Sequence, residues 1–139
     1  MKILKFSIVT RAARLLTTIP ALVLVASAAT AAPLTPPQRA EIEALLDRLQ
    51  TSGCDFNRNG SWYSGTEARA HLQKKADYLD GKEMIHSAEQ FIELGATGSS
   101  MSGKPYLVRC KGVAALESAP WLKAQLKALR SEHAASSPK

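Results

Sequence analysis

Apolar residues recur at helical spacing in four places along the chain. Ile42, Leu45, Leu46 and Leu49 fall at i, i+3, i+4 and i+7, and Ala68, Leu72, Ala76 and Leu79 form a second stripe. Phe91 and Ile92 begin a third, and Leu122, Leu126 and Leu129 a fourth. Each stripe follows a helix-start signal. Thr35-Pro36-Pro37-Gln38, Ser64-Gly65-Thr66-Glu67 and Ser87-Ala88-Glu89-Gln90 are capping boxes, the first with proline in its opening turn. Ser118 precedes Pro120 in the same way. Gly53, Asp80-Gly81 and Gly95 stop the first three, and the last is expected to fray into a disordered polar tail over 132–139.

Two segments alternate with period two instead. Cys54–Arg58 places Cys54, Phe56 and Arg58 on one face, and Tyr106–Cys110 places Tyr106, Val108 and Cys110 on one face. Asn59-Gly60 is a tight-turn dipeptide, after which Ser61-Trp62-Tyr63 can return as a third short strand. The pattern predicts an α+β fold: a mostly helical domain of about four helices with a two- to three-stranded antiparallel sheet. No internal repeat and no second domain are visible.

Charge changes the picture at the N-terminus. Lys2, Lys5, Arg11 and Arg14 precede an apolar run from Leu15 to Ala26, which ends in Ala28-Ala29-Thr30-Ala31-Ala32. This is the layout of a Sec-type export signal over residues 1–31, cleaved between Ala31 and Ala32. The apolar core is too short for a bilayer span and Pro20 interrupts it. The full chain of 139 residues carries 18 basic and 12 acidic groups, a formal +6. Without its four basic residues the signal leaves 14 against 12, or +2, so the basic pI does not argue for nucleic acid. The remainder, 32–131 plus the tail, is one small domain expected in the periplasm, with no stable membrane span.

A domain that small in an oxidising compartment gains from a staple, and Cys54 and Cys110 are the two cysteines of the chain. No C-x-x-C spacing suggests redox chemistry. A disulfide between them would close a loop of roughly 57 residues, worth about 4 kcal/mol against the unfolded chain. If Cys54 lies opposite Cys110 in an antiparallel pair, Arg58 falls beside Tyr106, with Lys104 just beyond.

Gly98-Ser-Ser-Met-Ser-Gly-Lys104 matches G-x-x-x-x-G-K, seven positions of a phosphate-binding P-loop. Pro105 stands where the Mg²⁺-binding hydroxyl belongs, and the order is helix to strand rather than strand to helix. A nucleotide site is therefore not expected. Nor is a Ser-Lys nucleophile, because Met101 lies three before Lys104. Ser99, Ser100, Ser102 and Lys104 remain as a hydroxyl-rich loop suited to a carboxylate, phosphate or sugar. Arg58, Asn59, Gly60 and Tyr63 form a second polar cluster with an arginine fork for bidentate anion recognition. Glu67 and His71 share a helix face four residues apart, as metal ligands can, but no second pair accompanies them. His86 precedes a helix and His133 lies in the tail. No metal or cofactor motif and no spaced acid–base carboxylate pair is present.

Four motifs in order carry a family resemblance: F-N-R-N-G at 56–60, W-Y-S-x-x-E-A-x-x-H-L-x-x-K at 62–75, S-A-E-Q-F-I at 87–92, and S-S-M-S-G-K-P-Y at 99–106. They resemble the YfeK-like family of small secreted proteobacterial proteins, a domain of unknown function. The resemblance covers about Thr35 to Leu129 and implies a soluble periplasmic protein without an assigned activity. The cysteines stand outside the family pattern. The expected function is a non-enzymatic module binding an anionic envelope ligand or a partner protein. Its surface would join Arg58, Asn59, Gly60, Tyr63 and Tyr106 to Ser99, Ser100, Ser102 and Lys104. One alternative is an envelope hydrolase or transferase, which requires Glu67, His71 and Ser102 to converge. The other is an inhibitor of a periplasmic hydrolase, inserting the Ser/Lys loop.

Overall fold

The computed structural model describes residues 32–136; the export signal expected over 1–31 lies outside them. Helix α1, Pro36–Thr51, and helix α2, Gly65–Gly81, flank a hairpin of β1, Asp55–Arg58, and β2, Ser61–Tyr63. Helix α3, Ala88–Phe91, runs directly into a π-helical turn, Ile92–Ala96. Strands β3, Leu107–Arg109, and β4, Leu116–Glu117, precede helix α4, Ser118–Ser136. The sheet is antiparallel in the order β2-β1-β3-β4.

The start signals act as expected, with local variations. Ser64 N donates to Glu67 Oε2 (2.9 Å) and Glu67 N to Ser64 Oγ (3.3 Å), a reciprocal box. At α1, Thr35 N donates to Gln38 Oε1 (2.8 Å). At α3, Gln90 N donates to Ser87 Oγ, but the Gln90 side chain reaches one residue further back, accepting from His86 N at 2.6 Å.

Ile42, Leu45, Leu46 and Leu49 of α1 are buried in one core with Leu72, Ala76 and Leu79 of α2, Phe91 and Ile92 of the third helical segment, and Leu122 and Leu126 of α4. Phe56 and Val108 contribute the inner face of the sheet, and Phe56 meets Trp121 edge-on at 5.6 Å between ring centroids. Gly65 is required where α2 starts against the end of α1, because a Cβ there would stand 2.6 Å from the Gln50 carbonyl oxygen. Cys54 and Cys110 are bonded, with Cα atoms 4.2 Å apart. The pairing Asp55↔Arg109, Phe56↔Val108, Asn57↔Leu107 is the register expected with Cys54 opposite Cys110.

Two expectations need correction. The sheet has four strands, because Leu116–Glu117 adds an edge to β3 that no sequence pattern announced. The tail expected to be disordered over 132–139 is helical through Ser136, the end of α4, and 137–139 lie outside the described residues. Arg48 bonds Glu132, and Arg130 reaches both Glu41 (2.7 and 2.9 Å) and Glu89 (2.5 Å), so cross-helix ion pairs hold its polar end. Among the described residues no helix is long and apolar enough to cross a membrane, and no cluster of three His, Cys, Asp or Glu side chains could hold a metal.

Candidate ligand pocket

A cavity of about 200 Å³ opens where β1, the first turns of α2 and the start of α4 meet. Leu49, Phe56, Leu72, Ala96 and Leu122 line its floor and are buried. Glu67 is exposed and Arg58, Tyr63 and His71 are half-buried, so these four mark its rim. The π-helical turn helps shape it. Its wide turn allows Thr97 Oγ1 to donate five residues back to the Ile92 carbonyl (2.8 Å). Gly95 faces the Phe91 ring so closely that a Cβ would lie 2.8 Å from Cε2. Ala96 then lines the cavity, and its carbonyl accepts from the buried Ser118 hydroxyl at 2.8 Å.

The polar wall is a chain of contacts ending on one phenol. Arg58 Nη1 stands 2.6 Å from His71 Nδ1. A guanidinium can only donate, so Nδ1 accepts and the imidazole proton sits on Nε2. Nε2 then donates to Tyr106 Oη at 3.3 Å. Lys75 Nζ donates to the same oxygen at 3.4 Å and to the Gly98 carbonyl at 3.3 Å. Arg58 also stacks over Tyr63, 5.0 Å from its ring centre, and Lys75 over Tyr106, 5.2 Å away.

This wall is electropositive and incompletely matched. Burial, then the positive charges of Arg58, Lys75 and Lys74, hold the His71 imidazole below its usual pKa. Burial and then Arg58 lower the Lys75 ammonium. Burial raises the Tyr106 phenol, opposed by Arg58. Among the described residues neither Arg58 nor Lys75 forms an ion pair. Glu67 shares the cavity, but its Oε2 accepts from both Ser64 N and Ser64 Oγ (2.8 Å). Those bonds, the backbone one first, keep its carboxyl below the usual range and therefore ionised.

The structure brings some predicted residues together and reassigns others. Asn59 and Gly60 have positive φ, 53° and 89°, as an Asn-Gly hairpin turn requires. The two expected loops do touch: Ser102 Oγ donates to Asn59 Oδ1 at 2.6 Å. Yet the serine loop is not the open cradle its composition suggests. Ser99 is buried, and its hydroxyl accepts from Met101 N and Ser102 N, both at 3.3 Å. Gly103 N bonds the Ser99 carbonyl and Lys104 N the Ser102 hydroxyl. The loop amides are thus spent on the turn itself. Ser100 and Lys104 remain exposed on the surface. The Glu67, His71 and Ser102 convergence that a hydrolase would use is only partial. Glu67 and His71 share the cavity, while Ser102 bonds Asn59 and the hydroxyl at His71 belongs to Tyr106.

The second cation is Lys75, where sequence reasoning placed Lys104. Its signal lies in the spacing Glu67, His71, Lys75, a polar row at i, i+4 and i+8. Each member precedes by one residue a member of the apolar stripe Ala68, Leu72, Ala76. A row in that position borders the core, and from its exposed start at Glu67 it becomes half-buried at His71 and Lys75.

No solved structure matches the chain. Over 70 residues, half of this chain, it is 40% identical to "Uncharacterized protein YfeK" of Salmonella typhimurium (strain LT2), and the chain covers 57% of that protein's length. The match to the model described as "Family of unknown function (DUF5329)" runs over residues 36–130, from the first turn of α1 almost to the end of α4, and the chain belongs to that family.

Proposed function

We propose that this protein binds small anionic ligands in the cell envelope, using the cavity walled by Arg58, His71 and Tyr106 and backed by Lys75. The observation that carries the reading is a pair of half-buried cations on one polar wall, Lys75 on the Tyr106 phenol and Arg58 linked to it through His71, neither with a carboxylate partner among the described residues. Desolvating two like charges side by side is unfavourable unless an opposite charge joins them. An entering anion supplies that charge. Arg58 brings five N–H donors, of which His71 takes one, so its fork has donors to spare for a carboxylate or phosphate. The Cys54–Cys110 disulfide supports an oxidising compartment.

The test is calorimetric or NMR titration of the exported protein with sodium acetate and inorganic phosphate, in parallel with Arg58→Met. Binding of at least one anion, weakened about tenfold or more by the loss of a charge-assisted donor, is the expected result. Absence of binding by both, or binding that Arg58→Met leaves unchanged, refutes the reading.

A further inference from the structure

The proposed anion site fixes only one wall of the cavity; the other walls restrict what the anion is attached to. Leu49, Phe56, Leu72, Ala96 and Leu122 present hydrocarbon, and Tyr63 adds an aromatic edge. A bare inorganic ion would leave that floor facing water or empty space. Charge restricts the ligand further. Arg58 and Lys75 stand against the ionised Glu67, which leaves one net positive charge among the groups that line the cavity or touch its polar wall. A monoanion cancels that charge. A dianion overshoots it and places its second charge in a cavity that Glu67 also lines.

Size sets the last limit. An apolar cavity of about 150 Å³ is known to take benzene, and this one measures about 200 Å³. The additional space accommodates one carboxylate at the polar wall. Resting on the anion-binding reading above, we propose that the cavity takes a small organic monocarboxylate with an apolar body of about six carbons, its carboxylate on Arg58 and its hydrocarbon on the Leu49, Phe56, Leu72 and Leu122 floor. Arg58 supplies the fork, Tyr106 offers its hydroxyl proton, and His71 fixes the orientation of both. Ordinary short-chain or aromatic acids and the ends of longer acyl chains share this chemistry. Acids longer than the cavity separate the two sources: a free small ligand stops gaining affinity once the floor is covered.

The experiment is a titration series on the exported and purified protein, unmutated and as Arg58→Met, with acetate, butyrate, hexanoate, octanoate, hexan-1-ol and inorganic phosphate. At about 0.8 kcal/mol per buried CH₂, each two-carbon step from acetate to hexanoate tightens binding about 15-fold. The step from hexanoate to octanoate gains less, hexan-1-ol binds at least tenfold more weakly than hexanoate, and phosphate binds more weakly than hexanoate. Arg58-dependent binding of acetate and phosphate with no gain for hexanoate overturns the apolar body and leaves the anion site standing. Phosphate as the tightest ligand overturns the monocarboxylate. A full further gain at octanoate overturns the size limit and points to acyl-chain ends. Absence of binding across the series removes the site and this inference together.

Discussion

Removing the disulfide is the perturbation whose size follows most directly from the fold. Cys54 and Cys110 are separated by 56 positions, so their bond closes a loop that spans β1 through β3 and includes all of α2. In the loop-entropy model this disfavours the unfolded chain by about 4 kcal/mol. A domain of about 105 residues has a total stability of roughly 5–15 kcal/mol, so about a quarter or more of it rests on one bond. With an unfolding entropy of about 2.1 cal/mol/K per residue, 4 kcal/mol corresponds to a fall of about 15–20 °C in Tm.

The assay is urea unfolding followed by circular dichroism, comparing the oxidised protein with Cys54→Ala/Cys110→Ala. Cys54 is buried and Cys110 half-buried, so the double variant also loses a small packing contribution. The expected loss is about 4 kcal/mol. Helical content below the transition should persist, because the cysteines only add to a core whose larger part is the apolar side chains of α1, α2 and α4. A loss under about 1 kcal/mol would refute the entropic account, since the β1–β3 pair would then be held together in the unfolded ensemble without the bond.

Two further outcomes follow from the same geometry. His71 is held below its ordinary pKa, so the unfolded chain protonates first: stability is complete above about pH 6.5 and declines as pH falls toward the folded value. Protonation also removes the Nδ1 acceptor from Arg58. Denaturation midpoints from pH 8 to 5 should therefore show an acid slope that His71→Gln reduces, and an identical slope in both proteins would disprove it. Gly65→Ala should destabilise the protein by about 1–3 kcal/mol, because the new Cβ meets the backbone oxygens of Gln50 and Leu49 at 2.6 and 2.9 Å rather than a side chain that can move; an unchanged urea midpoint would count against the α1–α2 approach.

The fold was legible where local chemistry and tertiary structure agree. Capping residues at Thr35, Ser64 and Ser87 mark three helix starts because they satisfy orphan amides whatever the helix later packs against. The β1–β3 register followed from alternation plus a disulfide, since a one-residue slip would turn Phe56 and Val108 away from the core. What escaped depends on distant partners. Strand β4 is two residues long and is defined only by its pairing with Leu107 and Val108. The last turns of α4 carry no apolar signal and persist through ion pairs with other helices: Glu132 with Arg48 of α1, and Arg130 with Glu41 of α1 and Glu89 of α3.

The site was half legible for a related reason. Composition identifies groups able to bind a ligand, but not which of them the backbone will already have used. Ser99 and Ser102 looked available and are instead the acceptors that close their own loop. Lys75 looked like an ordinary helix-surface lysine, and the fold turns it toward Tyr106 and the Gly98 carbonyl. The difference lies in satisfaction. A hydroxyl that caps a turn has its bonds, and evicting them costs about as much as a ligand returns. A half-buried cation without a counter-charge has lost water and gained little. In the WYSxxEAxxHLxxK segment the row Glu67, His71, Lys75 runs beside the apolar stripe, so His71 and Lys75 are carried partly under the surface while β1 brings Arg58 to meet His71. The positive charge concentrated there stays unbalanced until something negative arrives, and that imbalance is the physical reason to look for a ligand at Arg58 and Lys75 before the more conspicuous serine loop.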